Sequence, residues 1–261
     1  DLAQGYTPHP RPEPATDNVA LAGLTPAFPF SMASLGGLMA AGGAVAAVGG
    51  GGAGAAFSKV LETAPAGKIT LSGGIYAGPV DSNPGGDLVV RVYSAKGVLI
   101  AQTMVAQDGS YSLTFDRPPG EALLIRSMDS EPGDDEVATH RDEASLELKP
   151  LPAMMAAVPL DGVGPSVRVN LSVLTTWAAM NLGLNPEAPP ADQPLSAQQI
   201  KKANAWVSEL LIAGEDLLSS QPVTTVNKDG ETNARPNGYG KALHQLSWLE
   251  KSHAMGTHEL L

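Results

Sequence analysis

The chain contains no cysteine. Disulfide staples, zinc–thiolate sites and cysteine nucleophiles are therefore excluded, and the fold must be held by packing or by a hard cation. Aromatic residues are scarce at 5% and charged residues at 16%, so a core must be built from Val, Leu, Ile and Ala. Basic residues are few: 16 Lys and Arg against 27 Asp and Glu give a net charge of −11. No basic run exists beyond Lys201–Lys202. That argues against nucleic acid as a partner, and the same sign argues against an anionic membrane surface. Catalytic signatures are missing too. There is no G-x-S-x-G, no P-loop, no G-x-G-x-x-G opening a helix and no H-E-x-x-H. His253 and His258 stand five apart, off a common helical face. The chain reads as a non-enzyme.

What is abundant is Gly (29) and Pro (22), about a fifth of the 261 residues. The chain begins at Asp1 rather than Met, which reads as a processed or excised piece. Pro8, Pro10, Pro12 and Pro14 alternate, favouring extended backbone and blocking helix. Residues 18–58 carry no charge for 41 positions, but Gly and Ala dominate and Gly49–Gly52 is a tetraglycine run. Residues 1–66 are thus expected to be a flexible arm and linker. Membrane contact by residues 31–58 is the less favoured reading, because basic flanks are missing.

From Lys68 the pattern turns to period two. Ile69 and Leu71 share a face, Leu88, Val90 and Val92 are expected inward with Val89, Arg91 and Tyr93 outward, and Tyr111, Leu113 and Phe115 alternate with Ser and Thr. Turn signals fall at Ser94–Gly97, Gln107–Gly109 and Asp116–Gly120, and Ala122–Met128 reads as a further strand. Two later runs, Ala144–Leu148 and Ser166–Leu171, complete the expected sheet. Short strands at this spacing predict an antiparallel β-sandwich over residues 67–170. Beyond it the period becomes helical. Ser172–Leu182 is one predicted helix, ended by Gly183 and Pro186. Ser196 and Gln199 form a capping box with Leu195 and Ile200 placed as a staple, and an apolar stripe runs from Ile200 to Leu218. A last helix is expected at Tyr239–Lys251, after the polar loop Thr225–Gly238, and the tail beyond it has no pattern. The fold class is α+β: a sandwich at 67–170, then a small helical unit and tail at 171–261. All three Trp (177, 206, 248) fall on the predicted helices, as core anchors or surface cover.

One segment could carry chemistry. Asp129, Glu131, Asp134, Asp135 and Glu136 place five carboxylates in eight residues around Gly133. Oxygen ligands on such a loop suit Ca²⁺, although the spacing is not that of an EF-hand. A solvated acidic loop is the favoured reading of these residues, with Ca²⁺ the alternative. Asp81 with Asp87 is a weaker acidic site.

Several passages together resemble a family. These are V-Y-x-A-x-G (Val92–Gly97), D-G-S-Y-S-L (Asp108–Leu113), the acidic run from Asp129 to Asp135–Glu136, V-N-L-S-x-L-T-T (Val169–Thr176) and Y-G-K-A-L-x-x-L-S (Tyr239–Ser247). They resemble the Ig-like or transthyretin-like repeats of very large, biofilm-associated, type I secreted adhesins of Gram-negative bacteria. The resemblance covers roughly residues 35–250, and the Gly/Ala stretch is similar to the linker behind the retention segment of such proteins. It implies an extracellular or cell-surface location, partners that are copies of the chain, neighbouring adhesin modules or a host or surface ligand, and a role in attachment, biofilm or assembly. The chain holds one sandwich rather than an array and lacks RTX repeats, which favours a spacer, stalk or assembly role. Two alternatives stay open. In a filament subunit, Val19, Leu21, Leu24, Phe28 and Phe30 of the arm would add as a strand to a neighbour. In a glycan- or protein-binding module, loops at the sandwich end would hold the ligand.

Overall fold

A computed structural model describes residues 67–81, 88–131 and 137–261. The arm residues Val19 to Phe30, the 31–58 stretch, Asp87, Asp134 and Asp135 lie outside the described residues. In chain order the elements are β1 (Lys68–Tyr76), β2 (Val80–Asp81), β3 (Leu88–Ser94), β4 (Leu99–Met104), β5 (Ser110–Asp116), β6 (Ala122–Asp129), β7 (Thr139–Arg141), β8 (Leu148–Pro150), β9 (Met154–Pro159), β10 (Ser166–Arg168), β11 (Leu171–Ser172), α1 (Val173–Met180), α2 (Ala197–Leu211), α3 (Gly238–His253) and α4 (Thr257–Leu260). The protein is a mixed α+β fold with mostly antiparallel sheets. Among the described residues, no helix is long and apolar enough to cross a membrane.

Three sheets form. β4, β3, β6 and β9 lie side by side, all antiparallel. β2, β7 and β8 make a small antiparallel sheet. In the third, β1 pairs antiparallel with β5 on one side and parallel with β10 and then β11 on the other. The parallel pairs depart from the all-antiparallel expectation. Alternation fixes which face a residue takes but says nothing about strand direction or partner.

The core explains the strand sequences. Ile69, Leu71, Tyr111 and Phe115 share one buried cluster with Val90, Val92, Leu123 and Ile125, so both four-stranded sheets contribute to the same core. The opposite face of the β3–β6–β9 sheet is also buried. There Tyr93, Ala122, Leu124, Met155 and Ala157 meet Ala179, Leu184 and Ile200 from the helical part. Val89 and Tyr93, expected outward, are therefore both buried. Helices cover the face that a lone sandwich would leave to water. Of the run Ala144–Leu148 only Leu148 is in a strand, as the first residue of β8, and the rest forms the turn before it.

Helix starts follow the caps. Ser196 and Gln199 make the expected reciprocal box at α2, and Leu195 and Ile200 join the same apolar cluster. Ser172 and Thr175 make a second box at α1, and the Ser172 hydroxyl also meets the buried Tyr239 hydroxyl at 2.7 Å. The α2 stripe stops short of Leu218: the helix ends at Leu211, and Ala213 and Gly214 turn the chain with φ of 54° and 81°. Leu210 consequently points to solvent. Trp177 and Trp206 meet edge to face, 5.6 Å apart, whereas Trp248 is exposed. α3 comes so close to the 222–225 loop that a Cβ at Gly240 would lie 1.8 Å from the Val223 carbonyl oxygen, so only glycine fits. The unpatterned tail adds one helical turn, α4. Val173, Leu174, Val207, Tyr239 and Leu243 belong to the same buried cluster as Ile69 and Leu123. Sheets and helices thus share one core across residue 170.

Candidate functional site

Of the expected Ca²⁺ ligands Asp129, Glu131, Asp134 and Asp135, the first two are described. Asp129 ends β6, and its Oδ1 accepts the Glu131 amide at 2.9 Å, a local turn of the kind Asp makes in loops. Glu131 is exposed. Of the weaker pair, Asp81 is the last residue of β2, in register with Thr139. No group of three or more His, Asp or Glu arranged to hold a metal is present among the described residues.

Charge is concentrated instead on β7 and the turn after it. Asp142 is buried and bonded on every side: Oδ2 to the Lys149 ammonium at 2.7 Å, and Oδ1 to the Ala144 and Ser145 amides at 3.2 and 2.6 Å. Burial alone would raise its carboxyl. The Lys149 ammonium and the Ser145 and Ser247 hydroxyls overcome that and hold it well below the usual carboxylate range. Glu143, next in the chain, is buried as well, and its Oε2 accepts the Thr225 amide at 2.7 Å and the Thr225 hydroxyl. Burial pushes this carboxyl up, and the Thr225 bonds and nearby His244 offset only part of the rise. His140 is the third member. Burial pushes its imidazole down to about 4, against the opposing pull of Asp142.

The Thr225 hydroxyl also lies 3.2 Å from His244 Nδ1. Because the hydroxyl donates to Glu143 Oε2, its lone pair faces the imidazole, and Thr225 bridges Glu143 to His244. Arg141 adds two ties, from Nε to the Lys228 carbonyl and from Nη1 to the Leu146 carbonyl, each 2.6 Å. The cluster fastens the 222–233 loop onto the small sheet. Beside it, where β1 ends, opens a cleft of about 710 Å³. Its walls are the β1–β2 loop, the β4–β5 turn and the 222–228 loop.

The chain matches no protein-family model and no curated protein. The site is therefore read from its own residues.

Sequence reasoning gave His140 and His244 no role and passed over the Asp142–Glu143 pair. The one signal was the charge density of His140–Glu143 just ahead of a small-residue turn. The residues that give it meaning are remote: Thr225 stands 82 positions from Glu143, and Ser247 stands 103 from Ala144.

Proposed function

We propose that this chain is a non-enzymatic structural module of a bacterial surface adhesin, working outside the cell in attachment, biofilm or assembly. On this reading the two four-stranded sheets form an Ig-like or transthyretin-like sandwich that the helices brace on one side. The use of buried and half-buried charge carries the proposal. Arg126 donates to the Pro186 carbonyl, Arg117 to the Leu160 and Val163 carbonyls and Arg141 to Lys228, while Asp142 and Glu143 accept loop amides. These charges lock long connections in place instead of converging on a reacting centre, as load between neighbouring modules would require. Ca²⁺ on the loop from Asp129 and Glu131 to Asp134 and Asp135 belongs to the same reading, as a further lock. Turnover in a broad panel of ester, peptide and glycoside substrates would overturn the proposal; its expected outcome is no turnover.

A filament subunit is the second reading, favoured by β4. This outer strand of its sheet reads LIAQTM, without charge or proline, and leaves Leu99 48% and Met104 49% exposed. Edges of that kind accept added strands. Val19, Leu21, Leu24, Phe28 and Phe30 of a neighbouring copy would supply one. Light scattering after size exclusion separates the readings, with the full chain compared with one starting at Gly67, each in Ca²⁺ and in chelator. Assembly of the full chain alone supports the filament; two monomers support a link in a longer adhesin.

A further inference from the structure

The cleft at the end of β1 is used by neither reading above. Its volume, about 710 Å³, falls in the range of roughly 300–1,000 Å³ that small organic ligands occupy. Its walls are fixed before any ligand arrives. The Ile75 amide donates to the Gly109 carbonyl at 3.0 Å and the Arg141 amide to the Pro79 carbonyl at 2.8 Å. The Thr224 hydroxyl donates to the Val226 carbonyl at 2.7 Å, and Arg141 holds the Lys228 carbonyl. Gly109 has a φ of 78°, which sets the tight β4–β5 turn that forms one wall.

The lining is mixed in a specific way. Its polar side chains are Tyr76, Gln107, Asp108, Ser110, Thr224 and Lys228. Asp108 Oδ1 accepts the Ser110 hydroxyl at 2.6 Å and the Ser110 amide at 3.0 Å. Those bonds hold the carboxyl below its ordinary range, so it is ionised at neutral pH. Lys228 is exposed and takes part in neither ion pair found among the described residues. Among the described lining residues, one negative and one positive charge balance. Half-buried Pro79 and Val80 supply apolar surface between them, backed by buried Ile75 and Pro222.

A lining that selects no charge, offers donors and acceptors together and keeps an apolar floor matches a ring with hydroxyls on its rim and C–H groups on its face. We infer that the cleft binds a neutral, hydroxyl-rich ligand, a mono- or disaccharide unit, with Gln107, Asp108 and Lys228 bonding its hydroxyls. This goes beyond the structural role and can fail while that role stands.

The experiment is an amide-resolved NMR titration of the full chain with glucose, galactose, mannose, N-acetylglucosamine and lactose, with the zwitterion glycylglycine run in parallel. For at least one sugar, signals from Gln107–Ser110 and Thr224–Lys228 are expected to move along a saturating curve. Asp108→Asn and Lys228→Gln should each weaken that binding about tenfold, the loss of one hydrogen bond to a charged group. Both side chains are exposed, so an unchanged spectrum elsewhere certifies the fold. The inference is overturned if no sugar moves these signals, if both variants bind as well as the parent, or if only glycylglycine moves them.

Discussion

β6 with β9 and the β7–β8 hairpin with its loop each bury residues, by opposite means. β6 and β9 bury mainly apolar side chains on both faces, with Leu123 and Ile125 in one cluster and Leu124 and Met155 against the helices, and Arg126 is the buried charge among them. The hairpin buries His140, Asp142 and Glu143. Amides, hydroxyls and one ammonium bond Asp142 and Glu143 Oε2, while His140 Nδ1 and Glu143 Oε1 have no partner among the described residues. Without cysteine and with few aromatics, the protein uses area where two layers can close over a strand and hydrogen bonds where only loops are at hand. The first means is non-directional and insensitive to pH. The second is directional and tied to ionisation.

The contrast can be broken first at Leu124. Leu124→Ala should cost about 3–4 kcal/mol in urea unfolding, whereas Leu99→Ala on the exposed edge should cost under about 0.5 kcal/mol. Equal losses would mean that the helical layer does not close over β6. The second test is pH. The ordinary His value is 6.5, and His140 is held down to about 4. Between those values the unfolded chain binds more protons, so stability falls as pH drops from 6.5 towards 4, by up to about 3 kcal/mol. Asp142, held low, deepens the loss in stronger acid, while Glu143, held high, contributes with opposite sign and loses its contribution as pH rises. His140→Gln should flatten the slope in that window, and an unchanged slope would assign it elsewhere.

Asp142→Ala should cost about 2 kcal/mol, since Lys149 is partly exposed and can recover water while the Ala144 and Ser145 amides lose their acceptor. Asp142→Asn should recover part of that. Hydrogen exchange sharpens the comparison, because the loss is expected in the hairpin before β6. The smallest effect concerns the acidic loop. Changing Asp134 and Asp135 to Asn should lower Tm by a few degrees in Ca²⁺ and not in chelator, the equivalent of about 1 kcal/mol. Equal shifts in both would leave the loop as a solvated one.

Much of the scaffold was legible in the sequence. Ile69 and Leu71, the alternation of Tyr111 with Phe115, the glycine turns at 97 and 109 and the Ser196–Gln199 box each stand on short-range chemistry, and each is found. β9 was missed because a strand buried on both faces has no alternation, and Met154–Val158 sits between prolines with two alanines at its centre. Tyr93 was put outward for the same reason: a single strand does not reveal that a helix covers its second face. The charged hairpin and the cleft were illegible because each is assembled from segments far apart in the chain.

β1 carries one more consequence, in time rather than energy. Its parallel partners lie far downstream: Thr70 is in register with Ser166, a separation of 166 − 70 = 96 residues. A chain emerging from its N-terminal end therefore cannot finish this sheet until the stretch through Ser172 is available. Loop closure of that length precedes the contacts that reward it, which places refolding in the slow range, roughly milliseconds to seconds, of long-range β topologies. Until then β1 has β5 alone beside it, and the half-built sheet is the form that a protease or a holding chaperone would meet.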